Sequence, residues 1–327
     1  MRAAILHTPG ASPSFGAHPD PVPAEGQTLV RVSAAPIVPL DLLCASGTSY
    51  FGTPAAPYVP GVQGVGVIER SAVLEPGTRV WFATSAGMAP GDGSLAELCV
   101  VPDADLVPLV EPVSDTAVAA LGLSAVAAWM SLTWRAGLRP GERVVVLGAG
   151  GAVGQVAVGA AKLLGAARVV AVCRSSGAAE RARRAGADDV VTVTGDVDRL
   201  AAAIAEAAGG AVDVVVDPVF GSAATAASRV LAPGGRLVNL GGASGDTAEF
   251  SSSVLRSRSA AVLGYTNNSL TPAQRAQALQ VVLGHARSGA LAVDHDVLPL
   301  SRVTDGWRTT GEGTGRRAVV APGAEPA

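Results

Sequence analysis

The sequence predicts an α/β protein in two parts, a partly open β-barrel and a doubly wound parallel sheet. Three observations carry this expectation. Residues Arg143 to Arg174 read as strand, tight glycine turn, helix and strand. Beyond them, helical and strand-like segments alternate as far as Leu263, the pattern of helices packed on both faces of a parallel sheet. The first 110 or so residues instead hold short apolar runs punctuated by Pro-Gly and Asp-Gly, the texture of an irregular β domain.

Taken in order, Thr28 to Ala34 alternates, with Leu29, Arg31 and Ser33 on one face and Val30, Val32 and Ala34 on the other. Val65–Glu69, Arg79–Ala83 and Leu95–Val101 are further expected strands, and the glycines of Gly61-Val-Gln-Gly-Val-Gly66 imply close backbone packing or a bulge. A helix is expected from Ser114 to Arg135, with Ser114 and Asp115 as candidate caps. After the turn Gly137-Leu-Arg-Pro-Gly141, the expected order is strand 143–147, helix to Gly165, strand 168–172 and helix 178–185. Strand 189–193, helix 197–208, strand 212–217, helix 222–231 and strands 236–240 and 260–263 follow. The tail reads as a helix over 272–287 capped by Thr271, a strand at 291–297, a short helix at 303–308 and a strand at 317–320, with fraying over 322–327.

Composition narrows the function. The chain has 327 residues, 49% of them hydrophobic and 16% charged, enough for two cores. A net charge of -3 offers no basic footprint for nucleic acid, so no nucleic-acid partner is expected. Apolar runs are broken short of the roughly 20 residues that a membrane span needs, and no membrane partner is expected. The polar residues close behind Met1 argue against a secretory leader, and Cys44, Cys99 and Cys173 are too widely spaced for a CxxC metal site. A reduced, cytoplasmic setting is expected.

The stretch Gly148-Ala-Gly150-Gly151-Ala152-Val153-Gly154 carries the clearest chemistry. Between a β-run and a helix, these glycines let the backbone turn sharply and approach a ligand, and the helix N-terminus presents N–H groups to a phosphate. That is a dinucleotide pyrophosphate site. Past the second strand, about 20 residues on, an Asp or Glu would hold a ribose 2′-hydroxyl. The sequence there is Cys173-Arg174-Ser175-Ser176, with no acid. Arg174 offers a fork of donors to a 2′-phosphate and the serines offer hydroxyls, so the expected cofactor is NADPH.

The residues resemble the medium-chain dehydrogenase/reductase superfamily, and within it the zinc-free quinone oxidoreductase (zeta-crystallin-like) branch. The resemblance rests on Pro60-Gly61-Val-Gln-Gly64-Val-Gly66, Asp92-Gly93-Ser-Leu-Ala-Glu97, Gly137–Gly141, the Gly148–Gly154 turn, Leu163-Leu-Gly165-Ala, Ala185-Gly-Ala-Asp188, Pro233-Gly-Gly235-Arg and Leu298-Pro-Leu-Ser301. It implies a GroES-like catalytic domain over residues 1–125 and 266–327 and a Rossmann domain over 126–265, with the active site in the cleft. It implies cofactor contacts at Leu240, Gly241 and Arg316 besides the glycine turn, and substrate contacts at Tyr50, Tyr58, Gln63 and Tyr265. It also implies a homodimer joined by the edge strand near 260–263. Tyr50 and Ser124 are the candidate donors to the acceptor oxygen.

Zinc-bearing relatives place a cysteine three residues before an Asp and a His-Glu pair after a glycine. Here Val38 precedes Asp41, and Val62-Gln63 follow Gly61, so no metal site is expected. Relatives also carry Asn, Thr and Tyr where Val38, Ala127 and Val193 stand here, so three polar contacts around the nicotinamide and adenine are missing. His7, His18, His285 and His295 have no partners at useful spacing. The expected activity is metal-free hydride transfer to an activated double bond of a small-molecule quinone, enone or enoyl-type substrate. Two alternatives stand beside it: a pathway enzyme acting on C=N or catalysing a non-redox step, and an NADPH-binding structural or regulatory protein with little turnover.

Overall fold

The computed structural model describes residues 1–324, so the fraying expected over 322–327 falls in part outside the described residues. The chain forms two compact units, Met1–Gly122 joined by the segment from Val293 onward, and Leu123–Ala292. The second junction therefore lies after Ala292, not at 265/266. The physical reason is the long helix over 272–287, whose His285 ring lies 5.5 Å from that of Trp129 within the second unit.

In the first unit, β1 (Arg2–Ile5) pairs with β2 (Ser14–Ala17). The main sheet contains β3 (Gln27–Pro36), β4 (Gln63–Arg70), β5 (Arg79–Ala83), β6 (Leu98–Pro102) and β7 (Leu106–Pro108). Helix α1 (Pro39–Ser46) stands between β3 and β4. The expected alternation along β3 holds: Val30, Val32 and Ala34 are buried, the first two in a core that includes Phe82, Leu95 and Trp307. Gly66 is required by packing rather than by a turn: a Cβ there would lie 2.2 Å from the Arg31 carbonyl oxygen on the neighbouring strand.

Helix α2 (Asp115–Met130) starts with Ser114 Oγ accepting from Ala117 N at 3.3 Å and continues into a π-helical turn, Ser131–Arg135. It is not one continuous helix. Gly122, at φ 32° and ψ -131°, breaks it where the chain leaves the first unit. By length and composition the 115–135 helix could cross a membrane, contrary to expectation, yet 67% of its most apolar window is buried inside the structure. Burial and the break make it a core element.

The second unit is built on six parallel strands. They are β8 (Arg143–Leu147), β9 (Arg168–Cys173), β10 (Asp189–Thr192), β11 (Val212–Asp217), β12 (Leu231–Asn239) and β13 (Ala261–Gly264), in the order β10-β9-β8-β11-β12-β13. Helices α3 (Ala152–Leu163), α4 (Ser176–Arg184), α5 (Val197–Ala208), α6 (Gly221–Ser228) and α7 (Ser252–Arg258) connect them. The Val-rich runs of β8, β9 and β11 are continuous because both faces are covered. Helix α6 is shorter than the expected 222–231, since β12 begins at Leu231 and takes Pro233-Gly234-Gly235 through a register shift.

Helix α8 (Pro272–Arg287) is capped as expected: Thr271 Oγ1 accepts from Gln274 N at 3.2 Å, and Gln274 Oε1 accepts from Thr271 N at 2.9 Å. Strand β14 (His295–Pro299) lies four residues beyond its expected start. Helix α9 (Val303–Gly311) and β15 (Arg317–Ala321) return the chain to the first unit, where β14 and β15 extend the sheet to the order β14-β15-β3-β4-β5-β7, with β6 on β3.

One polar cluster ties the start of the parallel sheet together. Arg236 donates to Glu142 at 2.9 Å from both Nη atoms, and to the carbonyls of Ala136, Gly137 and Asp213. Burial alone would raise the Glu142 carboxyl, but the Arg236 fork and the Arg139 amide hold it below its ordinary value of 4.5. This stabilisation is present above about pH 4.5 and is lost as pH falls through the lowered value. Arg236→Met is expected to cost about 2 kcal/mol at neutral pH and to remove that acid-side slope. Urea unfolding across pH measures both; a loss under about 0.5 kcal/mol would show the cluster to be incidental.

Candidate functional site

In the strand order of the second unit, β8 and β11 are neighbours whose connections leave to opposite sides of the sheet. Ligands bind at such a switch point, beyond the carboxyl ends of the strands. The glycine turn sits there. Gly148 follows β8 at φ 58°, and a Cβ on it would meet Val219 Cγ1, in the turn after β11, at 2.6 Å. A Cβ on Gly150 would lie 2.4 Å from Ala178 Cβ, and one on Gly154 would lie 2.5 Å from Ala149 Cα. Gly151 differs: the nearest atom to its Cβ would be 3.4 Å away, so this side of the turn is open. Gly151 is also the N-cap of α3 and gives the helix no side-chain cap, so the N–H groups around Ala152 and Val153 have no side-chain acceptor. An open glycine edge at an uncapped helix N-terminus fits a pyrophosphate.

Two side chains hold the turn. The Gly150 carbonyl accepts from Gln155 Nε2 at 3.1 Å and from Arg181 Nε at 2.9 Å. Neither residue stood out in the sequence. Arg181 lies in the middle of α4, seven residues past Arg174, and only the packing of α4 against the turn brings it there. At the end of β9, Cys173 is 2% exposed, and burial raises its thiol pKa while the Gly150 amide and Arg181 pull the other way. Cys173 can therefore offer a ligand little beyond its main chain. Arg174 is exposed and, among the described residues, makes no hydrogen bond or ion pair. Ser175 is the N-cap of α4, its Oγ accepting from Ala178 N at 3.3 Å.

At the neighbouring strand ends, Asp217 Oδ1 accepts from Val219 N and Phe220 N, which turns the chain after β11 and holds Phe220 at φ 59°. Asn239 Nδ2 donates to the Gly241 carbonyl at 2.8 Å, placing Leu240 and Gly241 half-buried beyond β12. Ser124 lies buried in α2. Tyr265 follows β13; its hydroxyl donates to Asn267 Oδ1 at 2.7 Å, and Asn267 Nδ2 donates to the Leu123 carbonyl at 3.1 Å. Burial raises the Tyr265 pKa, so the hydroxyl keeps its proton.

The first unit separates the remaining candidates. Tyr50 is 78% exposed, with its ring 4.3 Å from that of Phe51. Tyr58 is 5% exposed, beside Gly87, and burial, with lesser contributions from Asp41 and Cys44, raises its pKa. Gln63 is fully buried; Trp81 Nε1 donates to its Oε1 at 3.1 Å, and that oxygen occupies the space a Gly122 Cβ would need. The Gln63 carboxamide thus takes part in the packing of the first unit. Arg316 is gripped by both carboxylate oxygens of Asp296, at 2.7–2.9 Å, and is no loose cation at the lip of its strand.

Asp41 anchors the loops around the missing metal position. Its Oδ2 accepts from Val38 N at 2.7 Å and its Oδ1 from Val62 N at 2.9 Å. Burial pushes the carboxyl up to about 6, opposed by these amides and by Arg317. Burial likewise brings the guanidinium of Arg317, which donates to the Ile37 carbonyl, down to about 10. Val38, Val62 and Gln63 carry no zinc-ligating side chain, Cys44 is a buried thiol pushed up to about 11, and no group of three His, Cys, Asp or Glu among the described residues is arranged to hold a metal. The residues here do not fit a zinc ion.

A parallel sheet in this order, with a glycine turn open at its switch point, defines a dinucleotide-binding enzyme fold. Two family models match the chain: the alcohol dehydrogenase GroES-like domain over residues 24–111 and the zinc-binding dehydrogenase over 152–283. The quinone oxidoreductase of Thermus thermophilus, solved alone and with NADPH, is 30% identical, with a TM-score of 0.82 over 98% of this chain and 100% of that one. The chain belongs to the medium-chain dehydrogenase/reductase superfamily, in its quinone oxidoreductase-like branch, a class of oxidoreductases. Bos taurus quinone oxidoreductase-like protein 2 is 32% identical over 68% of this chain and 63% of its own length. A phenolphthiocerol/phthiocerol polyketide synthase polypeptide of Mycobacterium tuberculosis is 31% identical over 92% of this chain, which spans only 14% of that far longer protein.

Proposed function

We propose that the protein is an NADPH-dependent reductase that saturates an activated double bond of a quinone, enone or enoyl-type substrate without a metal. The observation that carries this reading is the end of β9, where an unpartnered Arg174 and the serine cap of α4 stand in place of an acid, beside an open glycine turn. The NADPH complex of the Thermus relative supports the cofactor, and the likeness to a polyketide synthase supports the enoyl side of the substrate range.

When bound, the nicotinamide supplies a hydride to the electron-poor carbon, and the charge passing to the acceptor oxygen is met by a proton. Tyr50 and Ser124 are the proposed hydroxyl donors. Tyr50 has the exposure the role needs, and Tyr58 and Tyr265 are secondary substrate contacts. A homodimer through the edge strand β13 accompanies this reading, supported by its unpaired outer side and the exposed Val262.

Thermal unfolding with NADPH, NADH or neither tests the cofactor, and loss of NADPH absorbance with a panel of quinones and enones tests the reaction. NADPH is expected to raise the melting temperature more than NADH does. If neither nucleotide shifts it, the redox reading fails. Arg174→Asp is expected to reverse the preference, weakening NADPH binding about tenfold. An unchanged ratio of NADPH to NADH affinity would mark Arg174 as a bystander.

A further inference from the structure

We infer that Arg181 is a second, fixed half of an arginine clamp for the 2′-phosphate of NADPH and a determinant of cofactor specificity; this rests on the NADPH reading above. The guanidinium is located by one hydrogen bond and by its approach to the first turn of α4. Its Nε donates to the Gly150 carbonyl on the glycine turn at 2.9 Å. Its Nη1 lies across Gly177, in the first turn of α4, 3.7 Å from where a Cβ would stand. Its charge acts on the Cys173 thiol at the end of β9. Glycine turn, strand end and helix start are the three elements that surround the adenosine ribose in a doubly wound fold. A cation set between the glycine turn and the first turn of α4 stands close to where an acid would sit in an NAD-selective site.

The chain is shaped for this placement. The Arg181 side chain folds back along the first turn of α4, its Nη1 within ordinary contact distance of a Cβ at position 177, to reach the glycine turn. Ser175 caps the helix one residue after Arg174, so Arg174 stands in the loop at the end of β9 while Arg181 reaches the glycine turn from the helix. The two arginines differ in kind. Arg174 is exposed, makes no hydrogen bond or ion pair among the described residues, and must be ordered by its ligand. Arg181 is half-buried and held by the turn before any ligand arrives, so less side-chain entropy is lost when it binds a phosphate.

The test is the affinity of the full chain for NADPH, NADH and 2′,5′-ADP, measured by calorimetry or fluorescence on wild type, Arg181→Gln and Arg181→Met. Arg181→Gln keeps an amide donor for the Gly150 carbonyl and removes the charge; Arg181→Met removes both. For a role in specificity, Arg181→Gln weakens NADPH and 2′,5′-ADP about tenfold or more and changes NADH less than about twofold. Added salt should shrink the difference between NADPH and NADH in wild type more than in the variant. Equal weakening of NADPH and NADH in Arg181→Gln would overturn the inference, showing that Arg181 only braces the turn, and would leave the cofactor reading intact. Unchanged binding of all three ligands would overturn it too. Wild type binding neither NADPH nor 2′,5′-ADP would instead remove the NADPH reading and the inference with it.

Discussion

Gly154→Val is expected to abolish nucleotide-induced stabilisation and to destabilise the parallel-sheet unit by about 3 kcal/mol. The new Cβ would lie 2.5 Å from both Ala149 Cα and the Gly148 carbonyl oxygen, and 2.7 Å from the Ala149 carbonyl carbon. These are main-chain atoms of the turn and cannot swing aside, so α3 must move away from β8. That displaces the N–H groups at Ala152 and Val153 on which phosphate binding depends. Thermal unfolding with and without NADPH measures the effect. A nucleotide shift as large as that of wild type would show that the turn is not the phosphate site. Gly151→Ala is the matched control: its Cβ meets nothing nearer than 3.4 Å, so it should fold normally while losing affinity through contact with the ligand alone.

Asp41→Ala is expected to cost about 4 kcal/mol, the larger loss of the two. Asp41 is 2% exposed, and its carboxylate receives the main-chain N–H of Val38 at the start of α1 and of Val62 before β4. Alanine leaves both donors buried with no acceptor at this position, and it removes the negative charge that offsets the buried Arg317. The loops carrying Val38 and Val62 would then lose their common anchor. Chemical denaturation of the full chain reads the loss, and a change under about 1 kcal/mol would show that water or neighbouring groups replace the carboxylate. Asp41 is thus a structural residue of the first unit, although it lies beside positions that hold metal ligands in other members of the superfamily.

The sequence was most legible where local pattern and tertiary environment agree. Strands β8, β9 and β11 read as continuous apolar runs because helices cover both faces of the sheet, and the glycine turn between β8 and α3 needs its glycines for reasons any sequence reader can state. Thr271 and Gln274 form the capping box their spacing announces. Other elements carried no such signal. Helix α1 begins at Val38, a residue that cannot cap with its side chain, and takes its stabilising contact from Asp41 three residues on. The break at Gly122 lies inside an unbroken Ala/Leu pattern, because the space beside it is taken by Gln63, a residue 59 positions earlier in the chain.

By itself the sequence determined the class of fold, the phosphate turn, and the absence of an acid after β9 and of ligating side chains at Val38 and Val62. Each is a matter of which residue types are present at a short, local spacing. Only the tertiary structure decided that α8 belongs with the parallel sheet, that Arg316 is held by Asp296, and that Arg181 rather than a residue next to Arg174 is bonded to the glycine turn. Those outcomes depend on which distant segments meet. Contacts of that kind follow from the packing of whole elements, and the local order of residues does not encode them.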